Sequence, residues 1–271
     1  MKLFKNKKKL QEEIKNINNI NFVPTMGGLH KGHESLIKKS LKEPGRTIVS
    51  IFINPKQFDN KRDLKNYPKN FGEDLRTIKK LDINYLYKPT YDDIYKFKSI
   101  NKIYLDSFSK KLCGRFRKSH FKGVVNVVNR LLEIIKPKKI FLGNKDFQQL
   151  ILIKKHIKKN KIKTKVVPCK TIRDKNFIAY SSRLKKLNKL EKRNLIKIIK
   201  TLKNYKKKIK LNKIKYDLSK IKKEIIFLGA KKVDYIEILD LKTLKKPKRN
   251  KSNFNLFFAF NIGKVRFIDN F

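Results

Sequence analysis

Residues 22–33 read Phe22-Val23-Pro24-Thr25-Met26-Gly27-Gly28-Leu29-His30-Lys31-Gly32-His33, a short apolar run that leads into a glycine-rich loop with two histidines. Residues 20–23 are typical of a buried strand, and residues 34–41 can continue as a helix. The histidines therefore fall at a strand-to-helix turn, where helix amides and the positive end of the helix dipole favour an anion. The stretch predicts a loop that holds a triphosphate.

The same alternation of strand and helix continues to about residue 172. Buried strands are predicted at 47–53, 83–87, 139–142 and 164–167, and amphipathic helices at 71–81, 121–135 and 147–157. Repeated alternation of this kind favours an open, Rossmann-like parallel sheet with helices on both faces. We therefore predict an α/β domain over residues 1–172.

The composition and the apolar pattern of the sequence change beyond about Arg173. Lysine-rich helices are predicted over 189–208 and 215–228, followed by strands at 235–238 and 257–260. Helices followed by strands are typical of a small α+β domain, which we assign to residues 173–271.

Composition narrows the class of protein. The chain has 271 residues and two cysteines that are far apart, and it contains no apolar run near the roughly 20 residues that cross a bilayer. Its lysine-rich N-terminus lacks the apolar region of a secretory signal. These features predict a soluble, cytoplasmic protein without a membrane partner.

The formal net charge is +50, which invites a nucleic-acid-binding interpretation. The excess is mostly lysine, runs along the whole chain, and accompanies abundant Ile, Asn, Phe and Tyr. These are residues of A/T-rich codons, so genomic base bias explains them better than a localised basic patch. We therefore expect no specific nucleic-acid partner.

Polar residues follow several of the predicted strands. In an open α/β sheet the ligand lies beyond the carboxyl ends of the strands, and four loops there carry unusual residues: 25–33, 54–58, 143–149 and 180–183. Taken alone, the pair His30 and His33 could be a zinc half-site or a helix cap, although Cys113 and His120 form no recognisable second half. Taken together, the four loops favour one shared ligand site.

At this point the sequence resembles the pantothenate synthetase family, the pantoate–β-alanine ligases. The resemblance covers essentially the whole chain, and its motifs stand in family order: residues 24–33, 50–58, 67–69, 120–124, 143–149, 171–174, 181–183, 234–237 and 263–270. The chain departs from the family pattern at Lys118, Asn144, Lys170, Tyr180 and Leu184.

The resemblance implies a two-step reaction. The carboxylate of pantoate attacks the α-phosphorus of ATP to give pantoyl adenylate and pyrophosphate, and the amine of β-alanine then displaces AMP. It also implies Mg²⁺ on the phosphates, a homodimer, and a C-terminal domain that closes over the site.

The resemblance also assigns roles to residues of this chain. His33, His30 and Lys145 would be catalytic, Gln57 and Gln149 would bind pantoate or β-alanine, and Asp74 is a candidate near the metal. The residues expected to bind ATP are Met26, Gly27, Gly28, Leu29, His30, Lys31, Gly32, His33, Gly143, Asn144, Lys145, Asp146, Ile172, Tyr180, Ser181, Ser182 and Arg183.

Two other functions remain open from the residues. Another adenylyl or nucleotidyl transferase could share the H-x-G-H loop, although the pair Gln57 and Gln149 speaks against it. A nucleic-acid-binding protein that uses the high positive charge is the second alternative.

Overall fold

The computed structural model describes residues 1–211, 217–247 and 253–271, and the chain forms two compact units, residues 1–172 and 173–271. The N-terminal unit contains a six-stranded sheet in which every observed pairing is parallel. Its strands are β1 (Lys2–Phe4), β2 (Ile20–Thr25), β3 (Arg46–Ile51), β4 (Tyr85–Tyr87), β5 (Lys139–Gly143) and β6 (Lys165–Cys169). The predicted open parallel sheet is confirmed.

The order of the strands creates a switch point in the middle of the sheet. The order is β1-β4-β3-β2-β5-β6, so the chain moves outward in one direction after β2 and in the other direction after β5. In open α/β sheets a crevice forms at the carboxyl ends of the two strands that flank such a point. The crevice of this unit is therefore bounded by the loops that follow β2 and β5.

Helices of the N-terminal unit connect these strands. They are α1 (Lys7–Ile14), α2 (Lys31–Leu41), α3 (Lys61–Lys65), α4 (Phe71–Lys80), α5 (Tyr91–Tyr95), α6 (Cys113–Phe116), α7 (His120–Ile135) and α8 (Phe147–Lys159).

Both faces of the sheet are covered. On one face, Val23 and Val49 of adjacent strands pack in a cluster with Ile37 of α2 and Ile78 of α4. Successive strand residues point to opposite faces, and Phe22, which precedes Val23, is also fully buried. Burial on both sides explains why these strands read as continuous apolar runs rather than alternating ones.

The first strand and the first helix were not predicted from the sequence. Helix α1 begins with three lysines and buries only Leu10 and Ile14, so its apolar stripe is short. Strand β1 has three residues and pairs with β4 at the edge of the sheet. Neither segment has enough periodic apolar residues to stand out locally; both are stabilised by tertiary contacts.

The C-terminal unit is a small α+β structure, as predicted. Its antiparallel sheet has the order β7-β8-β9, and its helices pack residues such as Leu202 and Ile225 into one core with Phe258. The elements are α9 (Lys189–Lys210), α10 (Leu218–Phe227), β7 (Lys232–Asp240), β8 (Phe254–Ile262) and β9 (Val265–Asn270). The predicted helix over 215–228 begins at positions 215 and 216, which lie outside the described residues.

No helix in the described part of the chain combines the length and the apolar character that a membrane span requires.

A buried polar network joins α7 and α8. The ring of His156 is almost fully buried; its Nε2 donates to Asn129 Oδ1 over 2.9 Å and its Nδ1 accepts from the amide of Tyr104 over 3.2 Å. These partners are those of a neutral imidazole. Burial lowers the pKa of His156 to about 4, although the charge of Glu133 acts in the opposite direction.

We therefore expect His156 to remain neutral at pH 5, which a histidine-selective NMR titration will measure. In the unfolded chain a histidine has a pKa of about 6.5, so the unfolded state binds more protons between about pH 6.5 and 4. The free energy of unfolding should fall as the pH decreases through this window, and less steeply in His156→Gln. A His156 ring that titrates near 6.5 would contradict this assignment.

Candidate active site

The crevice opens because β2 and β5 separate before they end. Strand β2 pairs with β3 along its whole length, to Thr25↔Ile51, but with β5 only at Asn21↔Lys139 and Phe22↔Ile140. Pro24 has no amide hydrogen and so cannot donate to a ladder. The carboxyl-terminal halves of β2 and β5 therefore diverge, and the loops that follow them enclose the space between.

Backbone amides of the loop after β2 donate hydrogen bonds to protein side chains. The amide of Gly27 donates to Thr25 Oγ1, and those of Gly28 and Leu29 donate to Asp74 Oδ2 and Oδ1 over 2.9 and 2.7 Å. Asp74 belongs to α4 and is only 4% exposed. These three amides are therefore occupied by the protein itself, so anion recognition at this loop depends on its side chains and on the start of α2.

His30 caps helix α2. Its Nδ1 accepts a hydrogen bond from the amide of Gly32 over 3.1 Å, which places the ring proton on Nε2. Burial, followed by the positive charge of Lys145, lowers the pKa of His30 to about 4. His30 is therefore a neutral hydrogen-bond donor at the helix start at neutral pH.

His33 lies directly against His30, with the ring centroids 4.0 Å apart. Burial, then the adjoining His30 and then Lys145 hold the pKa of His33 well below its ordinary value. Its Nδ1 is buried and has no hydrogen-bond partner in the described part of the chain. Because the charge of Lys145 also contributes to the lowered pKa values of both rings, Lys145 lies within electrostatic range of His30 and His33.

Gln57 follows β3, in a short 3₁₀ turn over Pro55–Gln57. Its Oε1 accepts from Asn54 Nδ2 over 3.2 Å, which directs its Nε2 towards the sulfur of Met26 in the loop after β2. Sulfur is a weak acceptor, so a ligand oxygen would be a better partner for this amide. Gln57 therefore offers an oriented, uncharged donor beside Met26.

The backbone of Gln57 is fixed by a second set of contacts. Its carbonyl oxygen accepts from His120 Nδ1 over 2.8 Å and from Arg117 Nη2 over 3.2 Å. Arg117 also pairs with Asp59 on the far side of the turn. Gly123 of α7 lies so close that a Cβ there would be 2.1 Å from the carbonyl oxygen of Lys56. The turn that carries Gln57 is thus held by α7 and the residues before it.

The segment from the end of β5 into α8 carries Gly143, Lys145 and Gln149. Residues Asn144–Asp146 form a 3₁₀ turn that runs directly into α8. A Cβ at Gly143 would meet no atom within 4 Å, so the surface there is open to a ligand. Gln149 is half-buried, whereas the adjacent Gln148 is buried and donates to the carbonyl oxygens of Phe108 and Lys111. Gln148 is structural, and the ligand-binding role of the half-buried Gln149 remains a prediction.

The residues do not fit a protein-built metal cage. Within residues 1–211, 217–247 and 253–271, no group of three His, Cys, Asp or Glu side chains could hold an ion. Each carboxylate oxygen of Asp74 accepts a backbone amide, and the placement of Asp74 near a metal remains a prediction. The zinc alternative for His30 and His33 has no support in the described residues, because Cys113 is buried and His120 is bonded to Gln57.

Five of the residues predicted to contact ATP lie outside the two loops that follow β2 and β5. Ile172 follows β6 at the end of the N-terminal unit, and residues 180–183 belong to the C-terminal unit. There Ser181 Oγ accepts from the amide of Arg183 and begins a 3₁₀ turn. Their contact with a nucleotide remains a prediction.

Several residues that shape the site had no role in the sequence analysis. Asn54 is fully buried and accepts from Tyr95 Oη over 2.8 Å while it orients Gln57. Asp59 and Arg117 act on the same turn. An Asn before Pro is a recognisable turn signal, but the partners of Asn54 lie 41 and 69 residues away in the chain and leave no local signal.

The arrangement suits recognition of an anion beside an uncharged, oriented hydrogen-bond donor. Lys145 acts electrostatically on the two histidines at the start of α2, and the oriented amide of Gln57 reaches the same loop at Met26. Reactions at phosphorus develop negative charge on phosphate oxygens. A lysine and hydrogen-bond donors can stabilise that charge.

Comparison with known proteins gives the same family throughout the chain. The family model described as pantoate-beta-alanine ligase matches residues 2–271. The chain is 39% identical to a pantothenate synthetase of Flavobacterium psychrophilum, over 93% of this chain and 90% of that protein. It is 38% identical to a pantothenate synthetase of Clostridium botulinum, with the same coverage.

Solved structures agree. A pantoate–β-alanine ligase from Francisella tularensis, complexed with β,γ-ATP and β-alanine, is 35% identical and superposes with a TM-score of 0.85, covering 100% of this chain and 97% of that one. A pantothenate synthetase from Thermus thermophilus shares the fold with a TM-score of 0.91 at 24% identity, covering 100% and 99% of the two chains.

The proximity of Lys145 to the histidines is testable without any ligand. In Lys145→Met, removal of the positive charge should raise the pKa of both His30 and His33, while burial keeps both values below that of an exposed histidine. A histidine-selective NMR titration measures both rings. Lys38→Met, which removes an exposed charge from the same helix as His33, is the control, and unchanged values in Lys145→Met would contradict the arrangement.

Proposed function

The chain belongs to the pantoate–β-alanine ligase family, and on that premise we propose that it condenses (R)-pantoate with β-alanine at the expense of ATP. The products would be pantothenate, AMP and pyrophosphate. The observation that carries the proposal is the contact between the rings of His30 and His33 at the start of α2, within electrostatic range of Lys145 and on the loop that the oriented amide of Gln57 reaches.

The proposed reaction has two steps. A pantoate carboxylate oxygen attacks the α-phosphorus of ATP, the bond to the bridging oxygen of the β-phosphate breaks, and pyrophosphate leaves. The amine of β-alanine then attacks the acyl carbon of pantoyl adenylate, loses a proton, and expels AMP. Adenylation is needed because a free carboxylate is a poor acyl donor.

The charges of the site support the first step. Lys145 supplies a fixed positive charge for the phosphates, and the neutral rings of His30 and His33 supply hydrogen-bond donors. Neutral histidines do not compete as counterions for the pantoate carboxylate. Held in place by the protein, such donors need little reorganisation as charge develops.

Gln57 and Gln149 are proposed to orient pantoate. An amide can hydrogen-bond a hydroxyl or a carboxylate without the full ion pair that would lower the nucleophilicity of the carboxylate. The amide orientation that Asn54 gives Gln57 supports this role. The open space beside the Cα of Gly143 leaves room for a ligand to approach the protein backbone at the end of β5.

The wider proposal includes groups outside the N-terminal unit. Mg²⁺ would arrive on phosphate oxygens of ATP, since such sites rely on substrate ligands more than on a protein cage. We assign nucleotide and pantoate binding to residues 1–172, and further contacts with the nucleotide to Tyr180, Ser181, Ser182 and Arg183. A homodimer is also part of the proposal.

The function is tested by product formation and by partial reaction. Pantoate alone should support exchange of pyrophosphate into ATP, and addition of β-alanine should give pantothenate. If another acid drives exchange and pantoate does not, the chain is a different adenylyl transferase, and the proposal fails.

Two substitutions test the catalytic groups. His33→Ala and Lys145→Ala should each lower the rate of adenylate formation by at least about 100-fold, because each removes a group that stabilises developing phosphate charge. Pantoate-dependent exchange measures the rate, and circular dichroism checks that the fold is intact. Turnover near that of the unmodified protein would remove the residue from the mechanism.

The adjacent glutamines provide a matched test of pantoate recognition. Gln149→Ala should raise the KM for pantoate about tenfold with little change in the KM for ATP, since one hydrogen bond to the acid is lost. Gln148→Ala breaks two structural hydrogen bonds and should lower thermal stability without that selective change. Equal effects of Gln149→Ala on both substrates would contradict its role.

A further inference from the structure

We propose that Asp74 is a positioning residue that holds the backbone of Gly27, Gly28 and Leu29 in the one conformation that presents His30 and His33 to the nucleotide. The identity of that ligand as a nucleotide rests on the proposed function, whereas the backbone arrangement does not. Asp74 reaches this loop from α4, 45 and 46 residues away in sequence.

The geometry requires a carboxylate. Two successive amides, those of Gly28 and Leu29, each donate to a different oxygen of the same side chain. An asparagine can accept at only one of these positions and would place an NH₂ group against the other donor. Hydrogen bonds to an ionised acceptor are about twice as strong as neutral ones, so this pairing fixes the loop firmly.

The glycines are the other half of the same arrangement. Gly27 and Gly28 have φ angles of +78° and +62°, which residues with side chains rarely adopt. A Cβ on Gly27 would lie 2.7 Å from Asp74 Oδ2. The missing side chain therefore makes both the backbone turn and the close approach of the carboxylate possible.

The clamp determines how the histidines are presented. Leu29, the last clamped residue, immediately precedes His30, whose extended backbone begins α2 and whose ring caps it. A loop free to turn at residues 27–29 would move that ring away from His33 and Lys145. The two amides also supply hydrogen bonds to the buried carboxylate of Asp74, whose burial would otherwise be costly.

The competing role for Asp74 is direct coordination of Mg²⁺. Coordination would use the remaining lone pairs of the oxygens that accept the amides of Gly28 and Leu29. The two roles predict different consequences when the oxygens are altered, because only a metal ligand changes the concentration of Mg²⁺ that the protein requires.

The first experiment measures the clamp without substrate. In Asp74→Asn, hydrogen exchange of the Gly28 and Leu29 amides, followed by NMR on the full chain, should accelerate about tenfold to 100-fold through loss of charge-assisted hydrogen bonds. Glu73→Gln removes an equal charge from the adjacent, exposed position of α4 and is the control. Unchanged exchange at both amides in Asp74→Asn overturns the proposal.

The second experiment measures the consequence for the ligand. Asp74→Asn should weaken ATP binding, measured by calorimetry at saturating Mg²⁺, about tenfold or more, with an unchanged Mg²⁺ concentration for half-maximal binding. Faster exchange with unaltered ATP affinity would show that the clamp is structural only and overturn the positioning role. An increased Mg²⁺ requirement would identify a metal ligand and also overturn it.

These outcomes are separable from failure of the proposed function. If the unmodified protein binds ATP but forms no pantothenate, the ligase assignment fails, while the exchange and ATP-binding results still decide the role of Asp74. If the ligase reaction is confirmed and the amide exchange does not change, only the clamp is wrong.

Discussion

The separation of β2 from β5 is the constraint on which the site depends. Pairing between these strands stops at Phe22↔Ile140, whereas β2 remains bonded to β3 as far as Thr25. A sheet that stayed closed to its edge would leave no space between the loops that carry the histidines and Lys145. The strands that flank this opening are buried on both faces of the sheet against apolar side chains.

Around that opening the protein combines a high overall charge with two histidines that carry none. The chain carries a net charge of +50, yet both histidines of the loop are held neutral by burial and by Lys145. Distributed surface lysines are screened by salt over about 8–10 Å, so they attract anions in general without selecting one. Which anion binds therefore depends on the few groups in the crevice, whose positions are fixed by neighbouring side chains.

The sequence predicted those parts of the molecule whose cause is local. The strand-to-helix turn at His30 and His33, the buried strands on either side, and the order of helices and strands in the C-terminal unit follow from apolar periodicity and glycine placement. The motifs also pointed to Gln57 and Lys145. Helix α1 was missed because its lysines conceal two buried residues, and β1 because three residues carry no periodicity.

The contacts that orient the site could not be predicted in the same way. Asp74 with Gly28, and His120 with the carbonyl of Gln57, join residues 46 and 63 positions apart. Such pairs arise only once parallel strands and their crossover helices have brought distant segments together. A motif identifies which residues are present, whereas the hydrogen bonds made by their backbone determine how the side chains are oriented.

The close approach of Gly27 to Asp74 makes the side chain tolerated at one position depend on the residue at the other. A side chain at position 27 would occupy space that Oδ2 of Asp74 already fills, and loss of the acid at position 74 would leave two loop amides without acceptors. Substitution at either position alone would therefore disturb the backbone of the loop that leads into His30.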